Sequence, residues 1–212
     1  MKILIIGDVH GCYHTLKSLV DKHWKPEEQV LVQLGDLINK GPFSGKCIRY
    51  WQELEKANPG RTVLLRGNHE QSLINHYTGK NPLPELKPLV DNITAEGLSL
   101  KKVCEWLAIK GLRWETEGVL ITHAGISKNA DDPFEISSKK GVLNNRSSLR
   151  RLEKVQVVGH TMVQGGKPVF NPRENAWFID TGAWTRKYLS ALIISEDGTE
   201  AKVIREARSK ND

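Results

Sequence analysis

Seven side chains of the types that hold divalent cations each sit in a short polar turn at the end of an apolar run. Asp8 and His10 lie in "GDVHG", Asp36 in "GDLINKG", Asn68 and His69 in "GNHE", His123 in "THAG" and His160 in "VGHT". Four of the chain's seven histidines fall in these turns. A single such histidine is most simply a loop residue bonded to backbone; five turns carrying carboxylate, imidazole and amide donors ask for another reading. Oxygen and nitrogen donors without thiolate suit Mn, Fe, Zn, Co or Ni better than a structural zinc site. Two dications roughly 3.5–4 Å apart need a shared oxygen donor, which a carboxylate supplies and an imidazole does not. Such a pair brings a bridging water toward neutrality in pKa and yields a hydroxide for in-line attack on phosphorus.

The elements that must position these turns follow from periodicity. "KILII" (2–6), "QVLVQLGD" (29–36) and "RTVLLRGNHE" (61–70) are apolar strands emptying into polar loops. Between them, "HTLKSLVDKHW" (14–24) and "GKCIRYWQELEKA" (45–57) have helical spacing, the second ended by Asn58-Pro59-Gly60. Residues 84–111 read as helical with weak punctuation, most clearly over 100–110. From there the chain turns strand-rich: "GVLITHAG", "VQVVGHT", "AWFIDTG" and "YLSALIIS", then a hairpin in 196–206 around Asp197-Gly198. Alternating β and α followed by strands predicts an α/β fold, a layered sandwich of central mixed β-sheets flanked by helices. Loops at strand ends are where such folds place their sites.

Bulk properties bound the rest. The 212 residues suit one domain, here expected over 1–206 with a frayed tail at 207–212. No apolar run is long enough to span a bilayer, and "MKILIIGDVHG" reads as a first strand instead of a signal peptide. Three scattered cysteines, Cys12, Cys47 and Cys104, form no CxxC pair, which points to a reducing, cytoplasmic setting. A net charge of +6 biases the surface toward phosphates and nucleotides. No basic helix or aromatic-basic motif suggests sequence-specific nucleic-acid binding. Nothing in the sequence reports oligomeric state.

With these blocks in order, the sequence resembles the phosphoprotein-phosphatase (PPP) branch of the calcineurin-like metallophosphoesterases, whose pattern is GDxHG, GDxxxRG, GNHE and two later histidines. The resemblance runs from Gly7 to about Gly182. It implies Asp8 and His10 as ligands of a first metal, Asp36 as the bridge, and Asn68, His123 and His160 as completing a second. It implies His69 as the general acid. "VLNNRSSL" is similar to the family's "LWNR" stretch and implies a phosphate-gripping Arg146, although Asn144 stands where that stretch has Trp. Arg66 and Asp180 are expected to be structural. His14, His23, His76, Trp177 and Trp184 are expected to serve surface or packing.

The departure that matters most follows Asp36. Ser/Thr phosphatases of this branch continue as Asp-Arg-Gly, and this chain reads Asn39-Lys40-Gly41. Asn39 can accept a hydrogen bond from His69 but brings no charge to favour its imidazolium. Lys40 keeps the positive charge and loses the planar fork. A positioned general acid contributes about 10²–10⁴ in rate, most for a poor leaving group such as a serine alkoxide and least for an anhydride. ApaH-like phosphatases, related to the symmetrical diadenosine tetraphosphatases, share the neutral residue before Lys-Gly-Pro. The resemblance therefore implies a phosphatase leaning to phosphoanhydrides such as dinucleoside tetraphosphates. A Ser/Thr protein phosphatase of the compact bacterial or phage type is the alternative, since only 36 residues lie between His123 and His160. A non-catalytic nucleotide-binding module is the third, disfavoured because every implied ligand is present.

Overall fold

The computed structural model describes residues 1–185 and 187–212. Its centre is two five-stranded sheets packed face to face. The first has the order β10-β9-β1-β2-β3, built from β1 (Lys2–Ile6), β2 (Gln29–Gln33), β3 (Thr62–Leu64), β9 (Tyr188–Ser195) and β10 (Ala201–Ala207). The second has the order β4-β5-β6-β8-β7, from β4 (Arg113–Glu115), β5 (Val119–Thr122), β6 (Val155–Val158), β7 (Val169–Asn171) and β8 (Ala176–Phe178). In each sheet three strands run parallel, β1-β2-β3 and β5-β6-β8, with antiparallel strands outside them.

Period-two alternation explains the layering. Ile3 and Ile5 of β1 face the second sheet, in one core with Val30, Val32, Val119, Ile121, Val157 and Ile194. Leu4 and Ile6, pointing the other way, pack with Leu31 under the helices. Because both faces of β1 and β2 are covered, these strands read as continuous apolar runs. Each fully buried Ile, Leu or Val contributes about 1.5–3 kcal/mol of hydrophobic free energy.

Helices α1 (Tyr13–His23), α2 (Ser44–Ala57), α3 (Asn68–Tyr77), α4 (Lys87–Ala95) and α5 (Leu100–Ala108) lie against this outer face. The stretch 84–111 is thus three pieces, a 3₁₀ turn at Pro84–Leu86 followed by α4 and α5. Pro88 starts α4, Gly97 interrupts the run at φ 72°, and Ser99 caps α5.

Residues 207–212, expected from sequence to fray, make defined contacts with the start of α1. Helix α1 has no capping side chain of its own at Cys12. The Asp212 carboxylate closes that end, accepting from His14 N and Thr15 N, both at 2.9 Å, and from the Thr15 hydroxyl. Arg208 ties the segment down through the Trp184 carbonyl at 3.0 Å. The segment is ordered because it satisfies helix donors that would otherwise face water alone. No helix among the described residues is long and apolar enough to cross a membrane.

Candidate active site

Five parallel strands end at one edge of the sandwich, and the turn after each brings one of the five motifs there. Asp8 and His10 follow β1, Asp36 follows β2, and Asn68 and His69 open α3 after β3. His123 follows β5 and His160 follows β6. The first three come from one sheet and the last two from the other, so the site exists only because the sheets pack.

Asp36 is the hub. Its Oδ2 lies 3.6 Å from His10 Nε2, 3.8 Å from His69 Nε2 and 3.5 Å from His123 Nε2. These are contacts of a carboxylate with neutral rings: burial pushes the pKa of all three imidazoles down. Two clusters of convergent donors result, His10-Asp36-His69 and Asp36-His123-His160, sharing Asp36. Asn68 completes the second, its Oδ1 being 3.0 Å from His123 Nε2 and 2.9 Å from His160 Nδ1.

The far side of each ring decides which nitrogen points inward. His10 Nδ1 donates to the Ile38 carbonyl at 3.1 Å, and His123 Nδ1 to that of Leu34 at 3.2 Å. Each bond leaves the Nε2 lone pair turned into the site, the arrangement of metal-ligating histidines. His160 presents Nδ1, while its buried Nε2 has no hydrogen-bond partner.

Asp8 stands apart from both clusters. Its oxygens accept the His160 N–H at 3.1 and 3.2 Å, so in this arrangement it joins the β1 turn to the β6 turn. Burial, then Asp180 and Asp36, hold the Asp8 carboxyl well above the usual carboxylate range. Burial also raises Asp36, takes Asp180 to about 6, and takes Glu70 to about 7. The Asp36 carboxylate facing the rings' lone pairs, with Asp8, Asp180 and Glu70 buried close by, is a donor set and a negative field that divalent cations would neutralise. The residues present therefore fit a binuclear centre.

Backbone strain is concentrated here. Of six non-glycine residues with positive φ among the described residues, five are His10, Asp36, Asn39, Lys40 and His160, at 48°, 57°, 72°, 65° and 65°. Each costs about 1–2 kcal/mol relative to ordinary backbone, and the surrounding bonds hold them. Glu70, to which the sequence alone assigns no role, supplies several of these bonds. It is fully buried and accepts from Asp36 N at 2.8 Å, Gly67 N at 2.8 Å and Ile38 N at 3.3 Å. The signal was the last letter of "GNHE", an acid in the first turn of α3. Glycine is required where turns meet ligands: a Cβ on Gly159 would lie 2.0 Å from Asp8 Oδ1, and one on Gly67 2.3 Å from Asp36 Oδ1.

The departure at Asn39 has a defined geometry. Asn39 Oδ1 accepts the Lys40 N–H at 2.8 Å, which turns Nδ2 toward His69 Nδ1, also at 2.8 Å. The amide therefore donates to the ring, where the sequence suggested that it would accept from it. His69 is thereby held neutral with its proton on Nε2, the nitrogen nearer Asp36. A ring whose Nδ1 is spent as an acceptor resists becoming imidazolium, and burial adds to that resistance.

Two cations flank the centre. Lys40 Nζ is 3.3 Å from His10 Nε2 and 4.9 Å from the centre of the Trp184 ring. Trp184, read from sequence as packing, is thus a cation–π partner of Lys40. Arg146 Nη1 donates to the Thr161 hydroxyl at 3.3 Å and reaches the His160 carbonyl at 3.5 Å, which sets it on the opposite side. Arg66 donates to Gln71 at 2.9 Å, below the centre. Asp180 Oδ1 accepts Gly182 N at 2.9 Å.

The family described as calcineurin-like phosphoesterase matches residues 1–190. The chain belongs to it. The symmetrical bis(5'-nucleosyl)-tetraphosphatase of Edwardsiella ictaluri is 36% identical over 137 residues, covering 62% of this chain and 46% of that one. That of Buchnera aphidicola is 34% identical over 137 residues, covering 62% and 47%. This chain thus covers about half the length of those tetraphosphatases. The serine/threonine-protein phosphatase 2B catalytic subunit A1 of Saccharomyces cerevisiae is 40% identical over 82 residues, covering 38% of this chain and 15% of that one. Among solved structures, a chain proposed as a diadenosine tetraphosphatase superposes with a TM-score of 0.70 at 19% identity, covering 98% and 95%. A yeast protein serine/threonine phosphatase superposes with a TM-score of 0.65 at 17% identity, covering 99% and 81%. At these identities the superpositions establish the fold, a pair of mixed sheets flanked by helices.

Proposed function

We propose that this chain is a binuclear metal-dependent phosphoesterase acting on phosphoanhydrides, with dinucleoside tetraphosphates as the type of substrate. One observation carries the preference: Asn39 donates to His69 Nδ1 at 2.8 Å where a carboxylate would accept. In this reading His10, Asp36 and Asp8 hold one ion, and Asp36, Asn68, His123 and His160 the other, manganese being the favoured metal. Bound there, the ions supply Lewis-acid polarisation of phosphoryl oxygens and activation of water near neutral pH. Lys40 and Arg146 bind the phosphoryl oxygens from two sides, Arg146 with its planar fork. His69, neutral, donates its Nε2 proton to the leaving oxygen. That donation assists a departing phosphate or nucleotide but serves a serine alkoxide poorly, because no imidazolium is favoured behind it. Residues 1–206 act as one domain in this reading, and the three buried free cysteines fit a reducing compartment such as the cytoplasm.

The test compares diadenosine tetraphosphate with a phosphoserine peptide, manganese being supplied. Faster turnover of the tetraphosphate, lost on chelation and in Asp36→Asn, is the expected result. Much faster turnover of the peptide would favour the second reading, a Ser/Thr protein phosphatase, for which the short His123–His160 segment and the yeast relative speak. No turnover of either would favour a binding module.

A further inference from the structure

Asn144, the residue that departs from the Trp of the "LWNR" pattern, is built into something else. Its side-chain amide donates to the Ser138 carbonyl at 3.1 Å and reaches that of Ile136 at 3.5 Å. The Ser138 carbonyl opens a tight turn, Ser138–Gly141, closed by Gly141 N donating to it at 3.2 Å, and that of Ile136 lies just before the turn. Ser138 Oγ accepts the Lys140 N–H at 3.1 Å inside it. Lys139 and Lys140 are the central residues of that turn. The buried Val142 and Leu143 anchor it from behind, and Val142 O accepts Ala124 N at 2.7 Å, next to His123. Asn144 therefore clips a two-lysine turn to the segment that carries Arg146.

The turn and Arg146 line one groove of about 640 Å³, with Asn129, Asn145 and Ser147 completing its polar wall. No acid lines it. Asp131, Asp132 and Glu135 line a separate adjoining pocket that shares Asn129 and Lys140 with the groove, Asp132 accepting from Phe134 N at 2.8 Å and Glu135 from Ser137 N at 3.3 Å. Neither lysine ammonium pairs with a carboxylate among the described residues. The groove on the other side of the centre differs: it holds about 340 Å³ and is lined by both Lys40 and Glu85. Arg146 reaches the His160 turn and walls the cationic groove, so it stands at the junction of the two.

We infer that this groove is a subsite for the phosphate chain of a polyphosphorylated substrate, Lys139 and Lys140 binding the phosphates beyond the one held by Arg146. A linear chain carrying several negative charges needs cations beyond the reacting centre, and an isolated phosphoryl group does not. The inference rests on the phosphoesterase reading above for its orientation, but the groove's affinity for a phosphate chain is measurable without catalysis.

The experiment uses the Lys139→Gln/Lys140→Gln double variant, both side chains being exposed and outside any core. Binding of inorganic tripolyphosphate to chelated protein, by calorimetry, is expected to weaken about tenfold in the variant. It should also lose most of its dependence on salt, which a merely structural role would not change. With manganese, kcat/KM for tripolyphosphate relative to p-nitrophenyl phosphate should fall by a similar factor through KM. Asn144→Ala, which frees the turn and keeps both lysines, should reproduce about a third of the loss. Unchanged tripolyphosphate affinity and an unchanged substrate ratio in the double variant would overturn the subsite. A wild type that hydrolyses neither compound would overturn the phosphoesterase reading instead, and the calorimetry on chelated protein would still decide the groove.

Discussion

A single amide sets the chemistry expected at residue scale. Asn39 is anchored by the Lys40 N–H, and its own N–H occupies His69 Nδ1. In Asn39→Asp a carboxylate would accept from Nδ1 and favour the imidazolium. Turnover of a phosphoserine peptide is therefore expected to rise about tenfold, a fraction of the range open to general acids, and that of diadenosine tetraphosphate by less than about twofold. Steady-state kinetics on both substrates decide this, and equal gains would remove the leaving-group argument. The sequence implied which residue stands beside His69, but the direction of the bond came from the positive φ at Asn39 and Lys40, which aims Oδ1 back at the chain.

The elements explain how the turns stay strained. Glu70 braces the Asp36 turn from the start of α3, and Asp212 braces the start of α1 from the end of the described chain. Asp212→Ala removes a cap that two backbone donors share, and caps of this kind contribute about 0.5–2 kcal/mol. Its denaturant midpoint is expected to fall accordingly with the slope unchanged, and a midpoint equal to that of the unaltered chain would mean the tail contributes nothing in solution. The principal strands and α1 and α2 were legible because their apolar periods are clean. The three-residue edge strands β4 and β7 were not, since a pattern so short has no period to read. The tail's contacts were illegible for a related reason: its polar composition speaks of solvent, and its partners lie at a helix start nearly 200 residues earlier.

Across the whole molecule, the site is a concentration of buried charge at the seam between the sheets. Glu70 and Asp180, at about 7 and about 6, sit above the ordinary carboxylate range, as do Asp8 and Asp36. Folded pKa values above the unfolded ones mean that the metal-free folded chain holds extra protons from about pH 4 to pH 7, so these groups make it more stable as pH falls through that window. An ion held by Asp8 and Asp36 has to displace their protons, and its charge favours loss of those on Asp180 and Glu70 nearby. His123 and His160, neutral when folded down to about 3, release none. The unfolded chain is common to both measurements and cancels. The rise in Tm produced by manganese is therefore expected to be largest near pH 7.5 and to shrink toward pH 5. Thermal melts with and without chelator across that range test it, and a rise that grows on acidification would contradict the assignment of this centre as a metal site.

The chain's own letters determined the donor types, their order and their place at strand ends, because hydrophobic period and turn residues are local properties. The replacement of an acid by Asn39 was equally plain there. Only the tertiary structure decided how they meet. It made Asp36 the shared centre of two donor clusters, and it turned Asp8 to the His160 N–H. It also joined Lys139, Lys140 and Arg146 along one groove through the Asn144 amide. Those facts depend on which face of one sheet packs on which face of the other. The contacts that fix this span most of the chain, and no local pattern encodes them.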